Sequence, residues 1–282
     1  MDVSIIIVNY NTTQLVIECI KTIYEKTKFI DFEVIVVDNN SPDRSIENLK
    51  TIFPKIKLIL SEKNAGFGAG NNLGNKYAIG KYLFLLNSDT LLLDNAIYEF
   101  FTFMEKTPNA GVCGGNLLTK DLKPNMSFHH LRPSLILSFN EFCFNIFTRI
   151  LYKNQLYYSF SKHPISINGF ITGADFFISK KIFDKLNGFD EDFFMYYEET
   201  ELSHRLSDLG YKFYVLPYVK IIHFEGGSQT KSSINKKKWM EESKKLYYKK
   251  TNNKLYRFAD FFDKLNDRRA ELKNKLFKNI NK

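Results

Sequence analysis

Three runs of apolar residues, each broken off by a short polar cluster, most constrain what this chain can fold into. Val3 to Val8 stops at Asn9-Tyr10-Asn11, Glu33 to Val37 at Asp38-Asn39-Asn40-Ser41, and Tyr82 to Leu86 at Asn87-Ser88-Asp89. Near-continuous apolar runs belong to strands covered on both faces, as in parallel sheets flanked by helices. Open sheets of that kind collect ligands beyond the carboxyl ends of their strands. The pattern therefore predicts an α/β fold in which three polar strand ends converge on one site, placed where a metal diphosphate would sit.

The intervening segments agree. Thr12 or Thr13 can cap a helix running to about Lys28, with Leu15, Cys19, Ile20 and Ile23 on one face. A strand, helix, strand unit of this length requires parallel strands and a right-handed crossover. Pro42-Asp43 opens a second helix to Ile52, Ile56 to Leu60 reads as a third strand, and Gly70 to Ile79 as a helix before the fourth. A helix over Asn95 to Glu105 and a strand from Ala110 continue the alternation. Lys120 to Ser166 is a less legible excursion. Regular reading returns with a strand from Gly169 to Ile178, helices Lys180 to Leu186 and Glu198 to Leu209, and a last strand from Phe213 into His223.

The chain has 282 residues, enough for one large domain. Cys19, Cys113 and Cys143 show neither pairing nor metal-ligand spacing and read as reduced core thiols, which points to the cytosol. No secretory signal is read at Met1-Asp2-Val3-Ser4. The apolar stretch Leu135 to Leu151 is interrupted by Asn140, Glu141, Asn145 and Arg149 and is too short to cross a bilayer alone. Of the net charge of +9, the segment from Lys236 to Lys282 carries 16 Lys and Arg against 6 Asp and Glu, so the basicity belongs to the tail.

Several side chains have chemistry to offer. Asp38 can accept the N–H of a uracil or thymine base, or can close a turn with Ser41 and Pro42. The segment Asn64 to Gly74 can bring backbone N–H groups to a diphosphate, or can serve as a tight packing turn; it lacks the glycine spacing of a dinucleotide fingerprint. Asp89 offers a carboxylate to magnesium or manganese, which accept few protein ligands when a substrate phosphate brings the rest. His223 can add a neutral imidazole to the same cation, or be an ordinary satisfied histidine. Glu198 and Glu199 stand among aromatic residues that raise carboxyl pKa values, as a general base requires, although a helix start favours acids without catalysis.

Taken together, these residues resemble the family 2 glycosyltransferases of GT-A type, in the branch holding many rhamnosyltransferases of bacterial surface polysaccharides. The resemblance covers roughly residues 3 to 230 and rests on ordered blocks: Val3 to Asn11, Val36 to Ser41, Asn64 to Gly74, Leu86 to Thr90, Gly173-Ala174, Gly188 to Phe194 and Glu198 to Arg205. It implies a GT-A fold, a central mostly parallel sheet flanked by helices, with a catalytic domain over 1–230 and a basic amphipathic helical tail over 231–282. It further implies inverting transfer from a nucleotide-diphosphate sugar, dTDP-rhamnose or a UDP-sugar, with Mn²⁺ or Mg²⁺. By the same resemblance Asp89 and His223 hold the metal and Glu199 is the base, with Glu198 beside it. The donor is bound by Val8, Asn9, Asn11, Asp38, Asn40, Asn64, Gly66, Asn71, Asn72, Asn87, Ser88, Gly173 and Ala174. Where the family has Glu-Asp-x-Asp-Leu this chain has Glu198-Glu199-Thr200-Glu201-Leu202, a base one methylene longer, and Asn87 replaces the first metal-motif Asp.

In the tail, Leu255, Phe258, Phe262, Leu265, Leu272 and Leu276 recur at helical spacing among Lys and Arg. Such a helix can lie on an anionic leaflet and bring the enzyme to a saccharide or lipid-linked acceptor, or can pack on the domain or a second subunit. The expected location is accordingly cytoplasmic and peripheral on the inner membrane, with a homo-oligomer left open. Nucleic acid is not expected, since no reading module accompanies the charge. A non-catalytic sugar-nucleotide-binding scaffold is the alternative. A nucleotidyltransferase would need a basic glycine-rich loop where Asn9-Tyr10-Asn11-Thr12-Thr13 stands.

Overall fold

A computed structural model describes residues 1–42, 45–153, 155–224, 233–251 and 255–280, of which 233–234 and 270–280 are described in backbone only. The amino-terminal half alternates as expected: β1 (Val3–Asn9), α1 (Thr13–Lys26), β2 (Phe32–Asp38), a 3₁₀ turn (Ser45–Asn48) leading into α2 (Leu49–Ile52), β3 (Lys57–Leu60), α3 (Phe67–Asn75) and β4 (Tyr82–Asn87). There follow β5 (Thr90–Leu92), α4 (Ala96–Lys106) and β6 (Ala110–Leu118). The excursion contains β7 (Phe128–His129), α5 (Leu135–Phe142), α6 (Ile146–Leu151) and β8 (Ile165–Ile167). The rest is β9 (Phe170–Ile171), β10 (Asp175–Ser179), α7 (Lys180–Lys185), α8 (Glu198–Asp208), β11 (Lys212–His223), α9 (Ser233–Lys250) and α10 (Tyr256–Ile280).

Nine strands form one sheet in the order β3-β2-β1-β4-β10-β6-β11-β5, with β8 attached to β11. β3, β2, β1, β4, β6 and β11 run one way, while β10, β5 and β8 oppose them. The sheet is therefore mostly parallel, and its parallel half owes this to the α1, α2 and α3 crossovers. One face buries Ile5, Ile7, Val36, Phe84 and Phe177 against Ile20 of α1 and Phe100 of α4. The other buries Ile6, Ile35, Leu85 and Phe176 against Phe183 of α7 and Leu202 of α8. This alternation of consecutive apolar residues between two covered faces is why the runs show no polar break.

The helix expected from Gly70 instead begins at Phe67, and the cause is Gly66. Its φ of +94° is open to glycine, and a Cβ there would lie 2.0 Å from the Phe194 carbonyl oxygen. Glycines continue inside the helix because it lies hard on β1: a Cβ on Gly70 would meet Val8 at 2.8 Å, and one on Gly74 would meet Ile6 at 2.6 Å. The strand expected over 169–178 is split. β9 pairs with β7 in a separate two-stranded sheet, the chain turns at Thr172-Gly173-Ala174, and β10 then enters the main sheet. Within the expected Pro42–Ile52 helix, Asp43 lies outside the described residues and the described part is a 3₁₀ turn followed by one α-turn. Cys19 and Cys113 are buried free thiols, Cys143 a half-buried one.

The tail packs on the domain through α9 and one side of α10. Tyr247, Tyr248 and Ala259 bury with Phe193, the Trp239 ring lies 5.2 Å from Phe194, and the Ser243 hydroxyl donates to the Met195 carbonyl at 2.8 Å. The side chains of Leu272 and Leu276 lie outside the described residues. Among the described residues no helix is long and apolar enough to cross a membrane.

Candidate active site

Register brings the three polar strand ends level, with Asn9 opposite Asp38 across one side of β1 and Val8 opposite Asn87 across the other. A hydrogen-bonded network then joins them. The Asn9 amide donates to Asp38 Oδ1 at 2.6 Å and to Ser41 Oγ at 3.1 Å. Ser41 gives its N–H to Asp38 Oδ2 at 2.9 Å and its hydroxyl to Oδ1 at 2.6 Å. Asn9 Oδ1 accepts from the N–H and hydroxyl of Thr12, and Thr12 Oγ1 lies 3.1 Å from Ser88 Oγ. Asp38 is thus both the turn-closing acid and a strand-end carboxylate. Three donors occupy it, and Oδ2 retains a lone pair for a further N–H. Thr12 and Ser41 are the members that sequence reasoning did not assign to the site; the Asp-x-x-Ser spacing of a side-chain-closed turn was the available signal.

Asn11 and Asn40 are exposed and left-handed, with φ of 57° and 60°, on the rims of the two turns. Asn64 Oδ1 accepts the Gly66 N–H at 3.1 Å, and the Gly66 carbonyl accepts the Asn39 amide at 2.8 Å, which ties the glycine turn to the end of β2. Two neighbours are committed to packing. Asn72 exchanges hydrogen bonds with the Phe189 backbone, and the Asn71 amide donates back to the Phe67 carbonyl inside α3. Asn71 Oδ1 is buried without a partner among the described residues.

The end of β4 leads to the carboxylate and imidazole. β11 pairs with β5 so that His223 lies opposite Thr90, and the Phe224 N–H donates to the Asp89 carbonyl at 3.0 Å. His223 Nε2 lies 3.3 Å from Asp89 Oδ1 and 3.4 Å from the Asn87 amide nitrogen. Both side chains are largely buried, yet His223 Nδ1 has no partner among the described residues. A carboxylate oxygen and an imidazole nitrogen this close can pair directly or share a divalent cation. Among the described residues no group of three or more His, Cys, Asp or Glu is placed to hold a metal ion, so a cation held here would take its other ligands from substrate and water. The two glycines that follow His223 closely in sequence, Gly226 and Gly227, lie outside the described residues.

The same strand end is tied to the turn that Glu199 approaches. The Asn87 N–H donates to the Ala174 carbonyl at 3.0 Å, and Glu199 Cβ and Cδ sit 3.9 Å from where a Cβ on Gly173 would stand. Tyr196 and Tyr197 enter α8 with φ of 70° and 71°, uncommon for large side chains and a mark of a functionally constrained turn. The two glutamates then diverge. Glu198 turns under α3, its Cγ 3.2 Å from a Cβ on Gly68, and its Oε1 has no partner among the described residues. Burial, and then the Glu199 charge, push the Glu198 carboxyl well above the usual carboxylate range. Burial pushes Glu199 up to about 7, against the N–H groups of Glu199 and Thr200 and the Thr200 hydroxyl, which favour its ionised form. Glu198 is thereby the neutral partner and Glu199 the carboxylate that titrates near neutrality, as a general base should.

Comparison with known proteins gives the family and the fold. The family model described as glycosyl transferase family 2 matches residues 4–186, more than half the chain. The O-antigen biosynthesis protein RfbC of Myxococcus xanthus is 26% identical over 165 residues, 58% of this chain but 12% of that protein. Solved structures of similar fold include S. aureus TarS 1–349, with a TM-score of 0.55 and 17% identity over 80% of this chain and 61% of that one. GalNAc-T7 with UDP, GalNAc and Mn²⁺ gives a TM-score of 0.66 and 14% identity over 88% of this chain and 48% of that one. The mannosyltransferase PcManGT of Pyrobaculum calidifontis, in complex with GDP-Man and Mn²⁺, gives 0.54 and 18% over 78% and 56%. This chain thus spans less than two thirds of each of these proteins. The fold is GT-A, and with that family model matched over most of the sheet the chain belongs to glycosyl transferase family 2.

Proposed function

We propose that the protein is an inverting glycosyltransferase that moves a sugar from a nucleotide-diphosphate sugar, dTDP-rhamnose or a UDP-sugar, to a saccharide or lipid-linked saccharide acceptor in cell-surface polysaccharide synthesis. The observation that supports this reading is the approach of Glu199, a carboxyl raised to about 7, to the Gly173-Ala174 turn, which bonds to Asn87, the neighbour of His223 at the end of β4. The polysaccharide setting is supported by the O-antigen relative, and the nucleotide sugar by the UDP and GDP-Man bound in similarly folded transferases.

In this reading the Oδ2 lone pair of Asp38 receives a base N–H, and the Asn9, Thr12 and Ser41 network holds that carboxylate in place. The Gly66 turn presents backbone near the diphosphate, at the end of β2. Asp89 and His223 would hold Mn²⁺ or Mg²⁺, whose chemistry there is to neutralise the departing diphosphate. Glu199 takes the proton of the acceptor hydroxyl as that oxygen attacks the anomeric carbon on the face opposite the diphosphate, so the configuration inverts. Contact of the tail with an anionic leaflet, on the cytoplasmic side, would bring a lipid-linked acceptor to the cleft.

The test is release of nucleoside diphosphate from a panel of nucleotide sugars with an acceptor glycan and Mn²⁺, with the anomeric configuration of the product read by NMR. Transfer with inversion is expected. Tight binding of a nucleotide sugar with neither transfer nor hydrolysis across the panel would replace this reading with that of a non-catalytic scaffold.

A further inference from the structure

The α5–α6 hairpin is built inside out. Its polar side chains face inward and satisfy one another: the Asn140 amide donates to Asn145 Oδ1 at 2.9 Å and to Thr148 Oγ1 at 3.0 Å, and the Thr148 N–H donates to Asn140 Oδ1 at 3.3 Å. Asn140 and Thr148 are buried, while Ile136 is 72%, Phe147 52%, Ile150 73% and Leu151 71% exposed. Leu131, Leu135, Phe139, Phe147, Leu151 and Phe262 wall an apolar groove of about 460 Å³ along this face. α10 extends it, since the Phe262 ring packs 5.3 Å from Phe139 and 5.5 Å from Phe261, and Phe261 and Phe258 are themselves 56% and 61% exposed. An apolar surface of this extent on a water-soluble fold marks an interaction site.

We propose that the outer face of α5 and α6, continued by Phe258 and Phe261, docks the protein on an anionic lipid bilayer. Charge selects this occupant. Arg149 and Lys153 are exposed among the apolar residues, and from Leu131 to Lys153 the sequence holds a single acid, Glu141, which is half-buried. Apolar side chains interleaved with bases and free of exposed acids are the pattern of an element lying in the headgroup layer of an acidic leaflet. A second copy of the chain meeting this face about a two-fold axis would set the same bases against each other.

The position suits the acceptor side of the cleft, and in that respect the inference rests on the function proposed above. The two-stranded sheet of β7 and β9 carries the hairpin, and the Thr172 N–H, next to Gly173, donates to the Ser127 carbonyl at 3.2 Å. The hairpin also meets the tail, with Phe139 packed 5.3 Å from Phe262 of α10, and the tail in turn meets the start of α8, where the Tyr197 ring lies 5.7 Å from Tyr247 of α9.

The experiment is co-sedimentation of the full chain with vesicles of phosphatidylcholine alone or mixed equally with phosphatidylglycerol. The double variant Ile150→Ser, Leu151→Ser changes only exposed positions, and an unchanged Tm checks its fold. Binding of the wild type to the mixed vesicles, weaker by about tenfold or more in this variant, is expected, because two inserted aliphatic side chains are lost. Arg149→Ser, Lys153→Ser should weaken binding and flatten its salt dependence. Wild-type protein that ignores mixed vesicles, a double variant that binds them as the wild type does, or a wild-type dimer that the variant splits without affecting vesicle binding would each overturn the proposal. Partitioning reads no sugar transfer, so an inactive protein that still binds vesicles would refute the function and leave this inference standing.

Discussion

Replacing Glu199 by Gln separates catalysis from packing, because the two are predicted to move in opposite directions. The side chain keeps its shape but can no longer take a proton, and removal of a general base lowers kcat by about 10²–10⁴-fold. Stability follows from the raised pKa. The folded chain holds the Glu199 proton up to about pH 7, whereas the ordinary carboxyl value is 4.5, so between these values the native state binds more protons than the unfolded state. Wild-type stability therefore falls as pH rises from 4.5 to 7 and stays at its lower level above that. A shift of that size corresponds to roughly 3 kcal/mol at ~1.4 kcal/mol per unit. Glu199→Gln should accordingly be nearly inactive and melt several degrees higher than the wild type at pH 8, at about 2–4 °C per kcal/mol, with little difference at pH 4. Scanning fluorimetry at the two pH values and a transfer assay read both effects. A variant that stays active and melts lower at pH 8 would show that Glu199 is a helix cap and nothing more.

Four further outcomes are expected. The wild-type rate should rise about tenfold per unit below pH 7 and level off above it, as Glu199 ionises, and a flat profile from pH 5 to 8 would deny it the role of base. Asp89→Asn and His223→Ala should each lower transfer by about 10²–10³-fold and weaken the response to added Mn²⁺, measured by metal titration of the rate. Ser41→Ala removes the hydroxyl that donates to Asp38 Oδ1 while keeping the backbone N–H on Oδ2, and should weaken nucleotide binding by about 1–2 kcal/mol in calorimetry, with Tm little changed. The hydroxyl is the donor that is lost outright, so an unchanged affinity would free Asp38 from the donor site. Gly66→Ala forces a side chain into a left-handed turn and against the Phe194 carbonyl, at a cost of at least ~1–3 kcal/mol seen as a lower Tm.

Much of this architecture was legible because the central strands are covered on both faces. Burial on both sides makes Ile5, Ile6 and Ile7 all apolar, and an abrupt polar residue then marks a strand end without ambiguity. The level alignment of Asn9, Asp38 and Asn87 follows from parallel pairing alone. What the sequence hides is long-range and local conformation. β5 is three residues long and holds its place by pairing with β11, 130 residues away, so no periodicity announces it. The split between β9 and β10 arises from the turn at Thr172-Gly173-Ala174, which carries the chain from one sheet to the other. The α5–α6 hairpin misleads in the other direction. Asn140 and Thr148 are inside and Ile136, Phe147, Ile150 and Leu151 outside, so a reading that buries apolar residues finds no consistent face. The adjacent glutamates look alike in sequence, and only the packing of Gly68 against Glu198 and the proximity of Gly173 to Glu199 give them different environments.

The account stands on a single cleft bounded by Asp38, Asp89, Glu199 and His223. Calorimetric titration of UDP and dTDP into the protein, with and without Mn²⁺, tests it most directly. Binding of at least one of them that is strong with the metal, weak without it, and lost in Asp89→Asn is the predicted result. Failure of both to bind at any Mn²⁺ concentration, or binding indifferent to the metal and to Asp89, would contradict it.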